Sequence, residues 1–110
     1  MIEQNMYLSA GPRELTTLIA TQPNAVVSRT LINKSAGTVT LFAFDAGEGL
    51  SEHAAPYDAL VHMLEGEAGV RIGSHEHAVN AGHIILLPAN VAHALRANTP
   101  IKMLLTMVRA

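Results

Sequence analysis

Gly47-Glu48-Gly49-Leu50-Ser51-Glu52-His53-Ala54-Ala55-Pro56-Tyr57-Asp58-Ala59-Leu60-Val61-His62-Met63-Leu64-Glu65-Gly66 decides how the rest of the chain is read. A glycine turn leads to a short strand carrying a histidine. A Pro-Tyr-Asp corner follows, and an apolar strand then ends at Leu-Glu-Gly, a tight-turn signal. The plan recurs in Gly82-His83-Ile84-Ile85-Leu86-Leu87-Pro88-Ala89-Asn90-Val91-Ala92-His93: glycine, apolar strand, turn, histidine. Two glycine-bounded hairpins of this kind can deliver two histidines to the inside of one small barrel.

Outward from this stretch the pattern continues as strands and turns. Segments 25–32, 38–44, 50–53, 59–64, 68–72, 76–79, 84–87, 93–97 and 101–108 read as short strands, most of them rich in β-branched or other apolar residues. Turn clusters such as Asn33-Lys34-Ser35-Ala36-Gly37, Asp45-Ala46-Gly47 and Gly73-Ser74-His75 separate them. Closely spaced short strands predict an all-β sandwich or barrel. Before residue 25 the signals conflict. Gly11-Pro12-Arg13-Glu14 is a helix start, with Leu15, Leu18 and Ile19 on one helical face, yet Thr16, Thr17, Ile19 and Thr21 favour a strand. A short helix or turn is expected there.

Composition narrows the function classes. The chain has 110 residues, enough for one core, with 49% hydrophobic and 15% charged residues, which argues against disorder. A single domain spanning 1–110 is expected, with the barrel over about 25–108. A net charge of −2 supplies no basic footprint for nucleic acid and no polybasic membrane patch. Cysteine is absent, which removes disulfides, thiolate nucleophiles and Cys-type zinc sites and fits a reducing compartment. Residues 1–8 lack the basic start and apolar core of a signal peptide, and no apolar run approaches the roughly 20 residues of a membrane helix. A cytoplasmic protein is the expectation.

The two hairpins resemble the paired motifs of the cupins, in particular small RmlC-like barrels of the cupin 2 type. The family's first motif runs G-x5-H-x-H-x3or4-E-x6-G; Gly47, His53 and Gly66 match it over 47–66. The second runs G-x5-P-x-G-x2-H-x3-N over 82–97; Gly82, Pro88 and His93 match, Asn90 takes the second glycine's place, and Ala97 replaces the asparagine. The resemblance implies a double-stranded β-helix, the jelly-roll barrel. It also implies a metal held by both histidines and the glutamate of the first motif and the histidine of the second. Here His53 and His93 remain, while Ala55 and Ala59 occupy the other two ligand positions. Alanine donates nothing, and catalytic sites usually supply about three protein ligands. The metal motif is therefore degraded.

Strand alternation orders the remaining candidates. If His53 points inward, so does Ala55, and beyond the corner Ala59, Val61 and Met63 share that interior while His62 faces away. Tyr57 can place a phenol at the barrel opening. Asp58 is the one candidate for a third metal ligand, its alternative being a turn residue that caps backbone amides. His75-Glu76-His77 reads as a solvated hairpin despite its metal-like spacing, and His83 as a partly exposed strand start.

Three readings stay open. In the first, His53, Ala55, Tyr57, Ala59, Val61, Met63 and His93 line a pocket for a small, mainly apolar ligand, with no resident cofactor. In the second, His53 and His93, with Asp58 or another third ligand, hold a divalent ion (Zn, Fe, Mn or Ni) in an oxygenase- or isomerase-type enzyme. In the third, the barrel interior is filled, the two histidines are a buried hydrogen-bonded pair, and the domain serves dimerisation. Ile84 to Leu87 and Met103 to Val108 are apolar on both faces, so the outer face needs a cover, either the N-terminal segment or a second copy. A homodimer is expected, as the resemblance also implies.

Overall fold

Hydrophobic alternation builds two facing sheets in the computed structural model, which describes residues 2–5 and 11–109. In chain order the strands are β1 (Ile2–Asn5), β2 (Val26–Lys34), β3 (Gly37–Phe44), β4 (Gly49–His53) and β5 (Asp58–Glu65). They continue with β6 (Glu67–Ile72), β7 (His75–Asn80), β8 (Ile84–Leu87), β9 (His93–Ala97) and β10 (Ile101–Val108). One sheet has the order β1-β2-β3-β10-β5-β8 and the other β4-β9-β6-β7. All pairings are antiparallel except β1 with β2. The fold is the jelly-roll barrel.

Nine of these strands lie within a residue or two of the sequence-based segments. The parallel β1 was not expected, because Ile2-Glu3-Gln4-Asn5 has almost no apolar pattern and is held by its pairing with 27–30 of β2. The conflicted N-terminal segment forms a single 3-10 turn, Leu15–Thr17, with no side-chain cap at its start. Its β-branched threonines oppose further helix.

Alternation along the strands sends side chains into two cores. Phe42 and Phe44, Val61 and Met63, Val70, Leu95, Ile101 and Met103 fill the space between the sheets. The opposite face of the larger sheet carries Val27, Leu41 and Ala43, partly buried Leu64 and Leu104, and receives Leu15, Leu18 and Ile19 of the N-terminal segment. Lys102, on that outer face, donates from Nζ to the Thr16 carbonyl at 2.8 Å and lies 3.7 Å from Glu65. The segment is thus pinned as a cover. Among the described residues it does not extend over the β5–β8 corner, where Leu60, Ile84 and Leu86 remain 39%, 64% and 50% exposed.

Candidate functional site

Backbone pairing brings the two histidines together. His53 ends β4, His93 begins β9, and the register places them directly opposite. The loops before and after are stitched as well: Asn90 N donates to the Ala55 carbonyl at 2.7 Å, and Ala89 N donates to Asp58 Oδ1 at 2.8 Å. Asn90 has a φ of 65°, a left-handed conformation that asparagine tolerates better than most side chains. That explains how the motif keeps its turn with asparagine in the glycine position.

The imidazole rings meet edge to face, with centroids 4.4 Å apart and planes at 69°. His53 Nδ1 lies 2.8 Å from the Ser51 carbonyl, and His93 Nδ1 lies 3.2 Å from the Val91 carbonyl. A carbonyl only accepts, so both Nδ1 atoms carry the proton and, in the neutral rings, both Nε2 atoms present lone pairs. His53 is exposed and His93 half-buried, so the pair stands at the solvent edge of the site. Burial pushes the His93 imidazole below its ordinary value of 6.5. The hydrogen bond to Val91 opposes that fall, and repulsion from His53 adds to it.

Behind the histidines lies a cavity of about 80 Å³. His53, Ala55, Tyr57, Ala59, Val61 and His93 line it. Met63 does not. It is fully buried in the core between the sheets, one alternation step deeper than Val61. The remaining wall comes from Leu50, Val70, Leu87, Ala94 and Leu95, and from Met103, Leu105 and Met107 of β10. These β10 residues pair with Met63, Val61 and Ala59, which puts them on the cavity face. The run from Met103 to Val108 is apolar on both faces, so which of its residues face the cavity follows only from its pairing with β5. Apart from the two imidazoles and the Tyr57 hydroxyl, every lining side chain is hydrocarbon or thioether. Tyr57 is half-buried, and the Arg109 guanidinium carbon lies 5.6 Å from its ring centroid. Arg109 is itself tied by its Nη1 to the Lys34 carbonyl at 3.1 Å.

The donor set does not fit a resident metal. Among the described residues no three His, Cys, Asp or Glu side chains are placed to share an ion. Asp58, the sequence's candidate for a third ligand, is exposed and spends Oδ1 on the Ala89 amide, a structural task across 31 residues of chain. Ala55 and Ala59 line the cavity without a donor. The other histidines lie elsewhere: His75 and His77 are exposed on β7, His62 is exposed on β5, and His83 Nδ1 accepts from the Asn80 amide at 3.0 Å.

Comparison with known proteins agrees with the fold. The cupin domain family (Cupin_2) matches residues 40–108. A conserved protein of unknown function from Streptococcus pyogenes superposes with a TM-score of 0.90 at 31% identity, covering 100% of this chain and 96% of that one. A cupin superfamily protein from Desulfitobacterium hafniense gives 0.87 at 28% identity, covering 91% and 92%. A cupin 2 conserved barrel domain protein from Leptotrichia buccalis gives 0.83 at 35% identity, covering 86% of this chain and 46% of its own length. No curated protein matches the sequence. No helix among the described residues is long and apolar enough to cross a membrane.

Proposed function

We propose that this chain, which belongs to the cupin domain family, uses its barrel to bind a small, mainly apolar ligand. The observation that carries this reading is the composition of the cavity wall: hydrocarbon and thioether side chains, with the Tyr57 hydroxyl and two imidazoles as its polar groups. Apolar walls with a few polar groups are the usual make-up of small-molecule sites. The alanines at positions 55 and 59 favour it further, since they remove two metal ligands and leave apolar wall in their place.

Cavity size limits what enters. A cavity of about 150 Å³ holds benzene, so 80 Å³ accommodates only about three or four heavy atoms. At a ceiling near 1.5 kcal/mol per atom, such a fragment gains about 5 kcal/mol, a Kd of roughly 0.1 mM or weaker. Tighter binding needs a ligand that also extends past the histidines. The neutral Nε2 atoms accept hydrogen bonds, so a hydroxyl or N–H group belongs at that end. The metal-enzyme reading lacks a third ligand among the described residues, and the filled-barrel reading conflicts with the cavity.

The test is a titration with linear aliphatic alcohols of increasing length, followed by backbone amide NMR. Saturable shifts at Ala55, Ala59 and His93 are expected, weakened in His93→Ala. Ala59→Leu, which fills the cavity with hydrocarbon, should abolish them while leaving the melting temperature unchanged or raised. Shifts that persist in Ala59→Leu would overturn the proposal.

A further inference from the structure

The second concave surface is on the far side of the smaller sheet. Where Ala68, Val70, Leu95 and Ala97 point into the barrel, Gly69, Arg71, Ala94 and Arg96 alternate outward. Register sets Gly69 opposite Arg96, and Arg71 opposite Ala94. Two guanidinium groups therefore stand diagonally across a floor of glycine and alanine. This surface forms an open depression of about 310 Å³, whose rim also carries Glu76 and Asn98.

Both arginines have unused hydrogen-bonding capacity. Arg71 Nε is buried and finds no hydrogen-bond partner among the described residues. The ion pair of Arg71 with Glu52 spans 3.6 Å, longer than a charge-assisted hydrogen bond, and both side chains are about half exposed, at 43% and 51%. Such a pair contributes little and is readily exchanged. Arg96 is exposed and makes no ion pair or hydrogen bond among the described residues. Glu76 is opposite Arg71 in the register but forms no ion pair with it, and Asn98 Nδ2 donates to Glu67 Oε1 at 3.3 Å. A diagonal pair of like charges is unfavourable by itself and becomes favourable once an anion lies between them. Gly69 keeps that space open: a Cβ there would meet nothing closer than Asn98 Nδ2 at 3.9 Å.

We propose that the outer face of this sheet is an oxyanion site, in which the Arg71 and Arg96 guanidiniums hold a carboxylate or phosphate group of a small molecule over Gly69 and Ala94. Planar guanidinium forks match both groups, which each present paired terminal oxygens sharing a delocalised negative charge. The site lies on the opposite face of the smaller sheet from the cavity at His53 and His93, shares with it only the lining residues Ala94 and Leu95, and stands whether or not that cavity binds a ligand.

Amide NMR titration with inorganic phosphate and, separately, with acetate tests it. Saturable shifts at Gly69, Arg71, Ala94 and Arg96 are expected with at least one anion, and the anion that saturates first identifies the head group. Arg96→Ala should weaken binding at least tenfold. Gly69→Val keeps both charges but fills the floor, and should abolish binding while leaving a folded spectrum. Its φ is not in the left-handed region, so a β-branched residue fits the strand. Lys34→Ala, which removes an exposed charge from the other sheet, should bind as the parent does. Shifts that do not saturate with either anion, or that survive Gly69→Val, would show only diffuse attraction to surface arginines and overturn the proposal.

Discussion

His53 and His93 are cross-strand partners whose rings sit 4.4 Å apart, each anchored through Nδ1 to the backbone carbonyl two residues before it. The anchoring fixes the tautomer of both rings when neutral and turns both Nε2 lone pairs outward from the anchored side. For His93 the anchoring favours the protonated ring, but burial, with repulsion from His53 added, outweighs it.

The depression of the His93 imidazole gives stability a pH dependence. The folded-state pKa of His93 is depressed below 6.5, chiefly by burial. Between the two pKa values the unfolded chain binds more protons than the native one, so stability rises with pH there. The contribution of His93 is therefore fully present above the unfolded value near 6.5, and it is lost as pH falls toward the lower folded value. Thermal melts across this range should show the decline in the parent and a shallower one in His93→Gln. Equal slopes would place the pH sensitivity elsewhere.

The alanines at 55 and 59 make metal binding a testable deficit. Protein purified without an affinity tag should carry well under one equivalent of transition metal, and a chelator should leave its melting temperature unchanged. Ala55→His with Ala59→Glu restores the family's four-ligand set and should bind about one equivalent of zinc or manganese. Its melting temperature should then rise with added metal, since the ion binds only the folded state. If the parent itself keeps an equivalent of metal through chelator dialysis, the binding-barrel reading falls.

The uncovered apolar corner predicts self-association. Leu60 pairs with Leu86 and His62 with Ile84, forming an apolar strip beyond the reach of the N-terminal cover. We expect an isologous homodimer through this face. Light scattering after size exclusion should report twice the chain mass, and Ile84→Lys with Leu86→Lys should report a monomer with an unchanged fold. A monomeric parent at micromolar concentration excludes this interface.

Two turn glycines separate dihedral strain from steric clash. Gly82 has a φ of 89° and open space around it, so Gly82→Ala should cost about 1–2 kcal/mol for the left-handed backbone alone. Gly66 has a φ of 82°, and an added Cβ would also run into the Pro100 carbonyl oxygen. Gly66→Ala should cost at least about 1 kcal/mol more. Denaturant unfolding of the two variants measures the difference, and equal costs would mean that the 98–101 turn yields freely.

Much of the molecule is legible in the sequence because its signals are local. Strand β5 could be read over Ala59 to Leu64, one residue short at each end, because a period of two, a preceding proline corner and a following glycine all lie within reach of one another. The spacing of Gly47 to His53 and of Gly82 to His93 likewise fixed the barrel plan, and alanine at 55 and 59 fixed the loss of two metal ligands. What the sequence could not decide depends on partners distant along the chain. Asp58 was open to two roles until folding placed the Ala89 amide against it. Met63 shares an alternation phase with Val61, yet the sheet carries it past the cavity into the core. Met103, Leu105 and Met107 became cavity wall only through pairing with β5, and Arg71 and Arg96 became neighbours only through the register of β6 and β9. Periodicity assigns a face to a residue, but depth, exposure and company along that face are set by which strands pair and how the two sheets close over each other.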